Sequence, residues 1–291
     1  MTLLQYEVLK TVVETESFTR AGEKLGLTQS AVSHAIRGLE TELELTLMNR
    51  GRSGITLTNE GKRMMEYIQK ILDLSERMKQ EAGLLNGLKI GTIRIGTFPS
   101  VSASLLPSIL KQFHQAFPGI QTEIYEGGYE EIKQMITLGK IDIGFLTSST
   151  SESLDFIPLM EDHLYILLPD SHKLKRRKRI SIHEISDEPF IMPKAGCDEL
   201  IKGLFKENKI LPQIFCEIAD NQTIMAMVAK ELGVSIVPEL VLQGDTRKNV
   251  AAVTMKEICY RTIGLAVNSL ERCSPAAEAF IELAKKSFIK N

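Results

Sequence analysis

The chain has no apolar run long enough to span a bilayer. Its opening stretch, MTLLQYEVLK, has neither the basic start nor the extended apolar segment of a secretory leader. Both absences lead us to expect a cytoplasmic protein without a membrane partner. Cysteine is scarce. Cys197, Cys216, Cys259 and Cys273 include no C-x-x-C pair, so reduced, mostly buried thiols are expected rather than a zinc site or a disulfide framework. The histidines at 34, 114, 163, 172 and 183 keep no metal-ligand spacing. G-x-G-x-x-G, P-loop, H-E-x-x-H and nucleophile-elbow sequences are all missing, so no enzyme, metal or cofactor is expected. Cationic excess is missing as well. Net charge is −2, and residues 1–60 carry eight Asp and Glu against six Lys and Arg. Any DNA binding must come from where charge is placed, not from its amount.

What is present begins with three short helical patterns. Leu4, Val8, Leu9, Val12 and Val13 recur at helical spacing over residues 3–15. Ser17 is placed to cap a helix over 18–25, with Arg20 and Lys24 on its polar side, and Gly26 to end it. Thr28 is placed to cap a third helix, whose apolar positions Ala31, Val32, Ala35, Ile36 and Leu39 predict its buried side. The remaining face of its first turns carries Thr28, Gln29, Ser30, Ser33, His34 and Arg37 rather than the Glu and Lys of an ordinary solvated helix. Three such helices with a tight turn before the last suggest a helix-turn-helix, whose final helix enters the major groove. There amides read adenine, Arg reads guanine and hydroxyls are permissive. The plainer alternative is a solvated helix that happens to lack acids. "NRGRSGITLT" (49–58) then reads as a small hairpin, or wing, extending Arg50 and Arg52 toward phosphates or a narrow minor groove.

Thr58 is placed to cap a long helix reaching about Asn86. Met64, Ile68, Ile71, Ser75, Met78, Ala82 and Leu85 form a heptad-like seam suited to pairing with a second helix. Packing on the chain's own C-terminal domain is the alternative. From Thr92 strand-like and helix-like stretches alternate ("TIRIGTF", "SASLLPSILKQFHQAFPG", "IQTEIYEG", "YEEIKQMITLGK", "IDIGFLTS"), predicting an α/β domain with a largely parallel sheet. "LYILLP", "PFIMP", "IFCEIAD", "TIMAMVAKELG", "VSIVP" and "TIGLAV" continue it to a last helix over 275–289.

"SFTRAGEKLGLTQSAVSHAIRGLE", "LTLMNRGRSGITLTNEG", "LLPSILKQFHQAFPGIQTEIYEGG", "LGKIDIGF" and "VAKELGVSIVP", in this order, resemble the LysR-type family of bacterial transcription regulators over nearly the whole chain. The resemblance implies a winged helix-turn-helix (1–58), a dimerising linker helix (59–87) and a two-lobed effector domain (92–291) resembling periplasmic binding proteins. Lobe I would span about 92–161 and 266–291, and lobe II about 162–265, joined by two crossovers around a ligand cleft. It also implies a homodimer or homotetramer on an interrupted dyad near a promoter, with RNA polymerase as a further partner. The sequence departs from the family pattern at Gly22, where a second alanine is usual, at Ser30 for a common proline, at Met48 for a common Phe, and at Glu60 for a small residue.

In open α/β sheets ligands sit beyond the strand ends, near helix N-termini. That rule nominates Thr97, Ser100, Val101 and Ser102 after the first strand, and Thr147 after "IDIGFL". In the second lobe it nominates Pro193 and Lys194, then Asn221 and Thr223, as effector contacts. The alternative for Ser100 or Asn221 is a helix cap and nothing more. Lys194 is the one cation in this set and favours an anionic effector. Peroxide-sensing relatives use two cysteines a few residues apart. Cys197 is nineteen residues from Cys216, which disfavours a disulfide switch and leaves Cys197 alone as a thiol-sensing alternative. A transport-type solute-binding protein would explain residues 92–291 but not 1–86. "KLKRRKR" (173–179) is the strongest basic run; it reads as a solvated loop or, less plainly, as a contact to bent DNA or RNA.

Overall fold

The computed structural model describes residues 1–51, 54–85, 91–194, 196–243 and 249–289. They divide into an N-terminal and a C-terminal unit. Among the described residues no helix is long and apolar enough to cross a membrane.

The N-terminal unit starts with α1 (Leu3–Thr15), where Thr2 and Gln5 form a reciprocal capping box. In α2 (Phe18–Leu25) the Ser17 hydroxyl accepts from Arg20 N, and Gly26 ends the helix at φ +67°. In α3 (Gln29–Leu43) the Thr28 hydroxyl accepts from Ala31 N at 3.1 Å. The α2–α3 turn folds so tightly that Leu27 N donates to Gly22 O at 2.8 Å. A Cβ on Gly22 would lie 2.6 Å from the Leu27 carbonyl oxygen. Glycine there costs helix propensity but permits the close approach of two backbones.

Val8, Leu9, Val12, Ala21, Val32, Ile36 and Leu39 are fully buried together. The buried side of α3 departs from the expected one at two positions, since Ala31 is exposed and Ser33 is buried. At 100° per residue the two lie on opposite sides of the Val32–Ile36–Leu39 stripe at nearly the same angle from it, roughly 100°. Arg37 breaks the tie by reaching over Ser33, its Nη2 donating to the hydroxyl at 3.0 Å.

A hairpin follows, β1 (Met48–Gly51) antiparallel to β2 (Gly54–Leu57), with Met48 opposite Leu57. Helix α4 (Asn59–Leu85) is capped by Thr58, whose hydroxyl accepts from Gly61 N at 2.8 Å. The seam along α4 divides. Met64 and Ile68 pack into the head's core, whereas Ile71 is 41% and Met78 65% exposed.

The C-terminal unit is built on one sheet in the order β4 (Ile120–Glu126), β3 (Gly91–Thr97), β5 (Ile143–Thr147), β12 (Tyr260–Val267), β6 (Asp155–Pro169), β11 (Val250–Met255), β7 (Arg179–Ile180). β10 (Ser235–Pro238) pairs with β6 off that path, and β8 (Pro189–Pro193) with β9 (Gln213–Ile218) in a second, two-stranded sheet. The sheet is mixed, not largely parallel. β3 is parallel to β4 and β5, but β12 runs antiparallel to β5 and β6, and β6 antiparallel to β10 and β11. The difference lies in β6, whose 15 residues first pair with β12 and then, beyond His163, with β10 and β11. One strand thus serves three separate cores.

The first core gathers Ile93, Ile95, Phe113, Phe145 and Phe280; the others gather Ile166, Phe190, Ile201 and Ile236, and Leu167, Ile224 and Val237. The helical stretch expected after β3 is two helices, α5 (Pro99–Ser104) and α6 (Leu106–Ala116). Pro107 lacks an N–H and its ring excludes the preceding turn's carbonyl, so the chain breaks at Leu105. Helices α7 (Tyr129–Thr137), α8 (Asp198–Glu207), α9 (Asn221–Ala229) and α10 (Pro275–Ile289) complete the unit.

Candidate functional site

Two regions collect the chemistry. The first is the outward side of α3, where Thr28, Gln29, Ser30, His34 and Arg37 are exposed. Thr28 is committed to capping, and its hydroxyl also lies 3.0 Å from that of Ser30. Among the described residues the side chains of Gln29 and His34 have no hydrogen-bond partner. Ser33, expected on this face, is 7% exposed and serves as acceptor for Arg37, so it shapes the face without belonging to it. Arg50 occupies β1 opposite Ile55, and Arg52 lies outside the described residues. The face presents amide, hydroxyl, imidazole and guanidinium groups with no carboxylate in its first two turns, a composition able to donate to and accept from base edges.

The second region lies in the C-terminal unit. A cavity of about 660 Å³ is lined by Tyr129, Thr147, Ser148, Thr150, Lys194 and Arg261, among others. Thr147 and Lys194 are thus brought together as expected. The turn after β3 is not part of the lining. Thr97 and Val101 are fully buried, Pro193 is buried in β8, and Ser102 donates to Thr97 Oγ1 at 3.3 Å. Asn221 and Thr223 also lie outside the cavity lining. Asp220, not Asn221, caps α9, its carboxylate accepting from Thr223 N and Oγ1 and so lying below the usual carboxyl range.

Ser100 has a different role from the one its position suggested. It neither caps α5 nor lines the cavity; the residue is 6% exposed, and its hydroxyl accepts from Arg261 Nη2 at 2.8 Å. Arg261, from β12, is itself 6% exposed and was missed in the sequence, where one arginine in "YRTIGLAV" carries no pattern. All five of its N–H groups have acceptors. Nε and Nη2 reach Asp162 Oδ2 at 2.9 and 2.7 Å, Nη2 also reaches Ser100, and Nη1 reaches Tyr129 Oη at 2.6 Å and Cys197 Sγ at 3.2 Å. The guanidinium carbon stands 5.0 Å from the Phe98 ring centre. Asp162, fully buried on β6, accepts from Leu240 N at 3.1 Å through its other oxygen. Burial pushes the Tyr129 and Cys197 protons toward retention, with Arg261 opposing it in each case. The cluster therefore ties β6 and β12 to the first core through Ser100 and Tyr129, and to the second through Cys197.

Carboxylates outnumber cations around the cavity. Glu130, Glu131, Asp198 and Glu199 line it with Lys194 and Arg261. Arg261 is saturated by Asp162 and its neighbours, and Lys194 Nζ lies 4.0 Å from Glu217. Among the described residues no group of His, Cys, Asp and Glu is arranged to hold a metal.

Residues 3–62 match the family described as "Bacterial regulatory helix-turn-helix protein, lysR family", and residues 86–289 match "LysR substrate binding domain". An HTH-type transcriptional regulator of Bacillus subtilis (strain 168), YvbU, is 34% identical over 99% of both chains. A variant of full-length OxyR from Pseudomonas aeruginosa has the same fold, with a TM-score of 0.80 at 21% identity, covering 100% of this chain and 95% of that one. CbnR solved with its target DNA aligns at a TM-score of 0.67 and 22% identity, covering 99% of this chain and all of that one.

Proposed function

Because the chain belongs to the LysR family of bacterial transcriptional regulators, with a helix-turn-helix DNA-binding domain and an effector-binding domain, we propose that Gln29, Ser30 and His34 read base edges from the major groove. The observation carrying this is the exposed, acid-free first two turns of α3. Arg37, Arg50 and Arg52 contact phosphates, and the hairpin is the wing. CbnR, of the same fold, is known in complex with its target DNA. The exposed Ile71 and Met78 seam of α4 supports a homodimer, which presents two reading helices to two half-sites of an interrupted dyad.

The effector is a small molecule bound in the Thr147–Lys194 cavity, not at the Thr97–Ser102 turn, because Ser100 is already occupied by Arg261. With carboxylates in the majority, Lys194 alone does not make this an anion site. Calorimetry of carboxylates, amines and neutral polyols against wild type and Lys194→Ala separates the classes. An anionic effector requires a loss of at least tenfold on removal of Lys194. Binding of the effector shifts a population between subunit arrangements that differ in the spacing of the reading heads.

The test is a mobility shift on the DNA immediately upstream of the protein's own gene, repeated across a metabolite panel with footprinting. Retardation at low salt, with a footprint that one metabolite alters, is expected. No retardation of any genomic fragment would overturn the proposal.

A further inference from the structure

Six of the chain's 35 basic residues fall within the seven positions of "KLKRRKR", far in sequence from the reading helix. The segment is anchored at both ends. Leu174 is 8% exposed and Ile180 fully buried in the same core. Between them Lys175 N donates to His172 O and Arg177 N to Leu174 O, forming successive turns, and Arg179 pairs with Thr254 where β7 joins the sheet.

Three carboxylates near this segment are already engaged. Asp170 is 3.0 Å from Lys175, Glu184 is shared by Arg177 and Lys256, and Glu257 accepts from Ser181. Lys173, Arg176, Lys178 and Arg179 are exposed and, among the described residues, have no carboxylate partner. No large apolar side chain of residues 170–188 is exposed. Protein interfaces rely on aromatic, Arg and aliphatic anchors in desolvated pockets. A cationic surface without an apolar anchor instead suits a polyelectrolyte, whose affinity comes from counterion release. The head itself is poor in cations, since Lys10 and Lys24 both face Glu14.

We propose that the 173–179 segment is a second, sequence-independent DNA contact, gripping phosphates of the duplex flanking the site read by α3. This rests on the regulator reading above and adds to it a surface on the effector domain.

The test uses the full chain, with Arg176→Gln, Lys178→Gln and Arg179→Gln combined. A charge-matched control combines Lys111→Gln, Lys206→Gln and Lys286→Gln, all exposed elsewhere on the same unit. Fluorescence anisotropy on a long mixed-sequence duplex and on the DNA upstream of the gene gives log Kd against log salt. Each lost phosphate contact removes about 0.9 from the slope, so the segment variant is expected to fall by about two to three units on both duplexes while the control holds. The ratio between the two duplexes stays unchanged. Equal slopes for segment variant and control overturn the proposal. So does loss of transcriptional output with unchanged DNA binding, which assigns the surface to an acidic protein instead. If wild type binds neither duplex, the regulator reading fails first and this one with it.

Discussion

Gly22 shows how a single residue can mislead when read for propensity alone. In an isolated helix, alanine would stabilise this position by up to about 1 kcal/mol. In the folded head, the added carbon meets the Leu27 carbonyl oxygen at 2.6 Å, and backbone is the least able to give way. Gly22→Ala is therefore expected to destabilise the N-terminal unit by about 1–3 kcal/mol, read as an earlier urea midpoint for that unit's transition. The cysteines give a second prediction at this scale. Cys197 and Cys259 are buried, and burial pushes the Cys259 thiol up to about 11 and the Cys197 thiol upward as well. The thiolate is the nucleophile, so a raised pKa leaves less of it at any working pH. Iodoacetamide at about pH 8, followed by peptide mass analysis, should label Cys216 and Cys273, which are half-buried, well before the other two. Rapid labelling of Cys197 would revive it as a thiol sensor.

At the scale of elements, the caps and helices of the head were legible because each end is set by local chemistry. Ser17, Gly26, Thr28 and Thr58 act within three or four residues of themselves. The strands were legible where hydrophobic runs are short and bounded, as in β3, β5 and β10. β6 was half missed because its outer half, paired with β12, alternates exposed and buried positions irregularly around Pro158. The cluster around Arg261 was not legible. Ser100, Tyr129, Asp162, Cys197 and Arg261 are joined only by the crossover of β6 and β12, and no spacing in the sequence brings them together.

The cluster is open to mutation. Removing one partner of a buried ion pair leaves the other uncompensated, which costs about 3–5 kcal/mol, whereas replacing both by apolar groups is often near neutral. Arg261→Ala should lower the stability of the C-terminal unit by that amount, read as an earlier urea midpoint, and Arg261→Met with Asp162→Leu by clearly less. Equal losses would mean the pair itself, and not the stranded carboxylate, dominates.

For the whole molecule, the proposed dimer requires α4 and α3 to work in pairs. Ile71→Glu with Met78→Glu places like charges along the exposed seam. Sedimentation velocity should then report a shift toward monomer, with DNA affinity lowered as the two half-sites lose their link. An unchanged sedimentation coefficient would place the dimer contact elsewhere. The proposed phosphate contacts and the reading face differ in kind. Losing Arg37 should weaken binding to every sequence and flatten the salt dependence by about one unit of slope. Losing Gln29 should leave the salt slope alone and change which sequence is preferred.

The account therefore turns on discrimination. The most direct measurement is the ratio of Kd for a mixed-sequence duplex to Kd for the DNA upstream of the gene, at one salt concentration, for wild type and Gln29→Ala. A base-reading amide is worth about 1–3 kcal/mol of discrimination, so wild type should show a large ratio that falls at least about fivefold in Gln29→Ala with non-specific affinity retained. A wild-type ratio near one, or a ratio untouched by the substitution, would contradict the assignment of α3 as the reading surface.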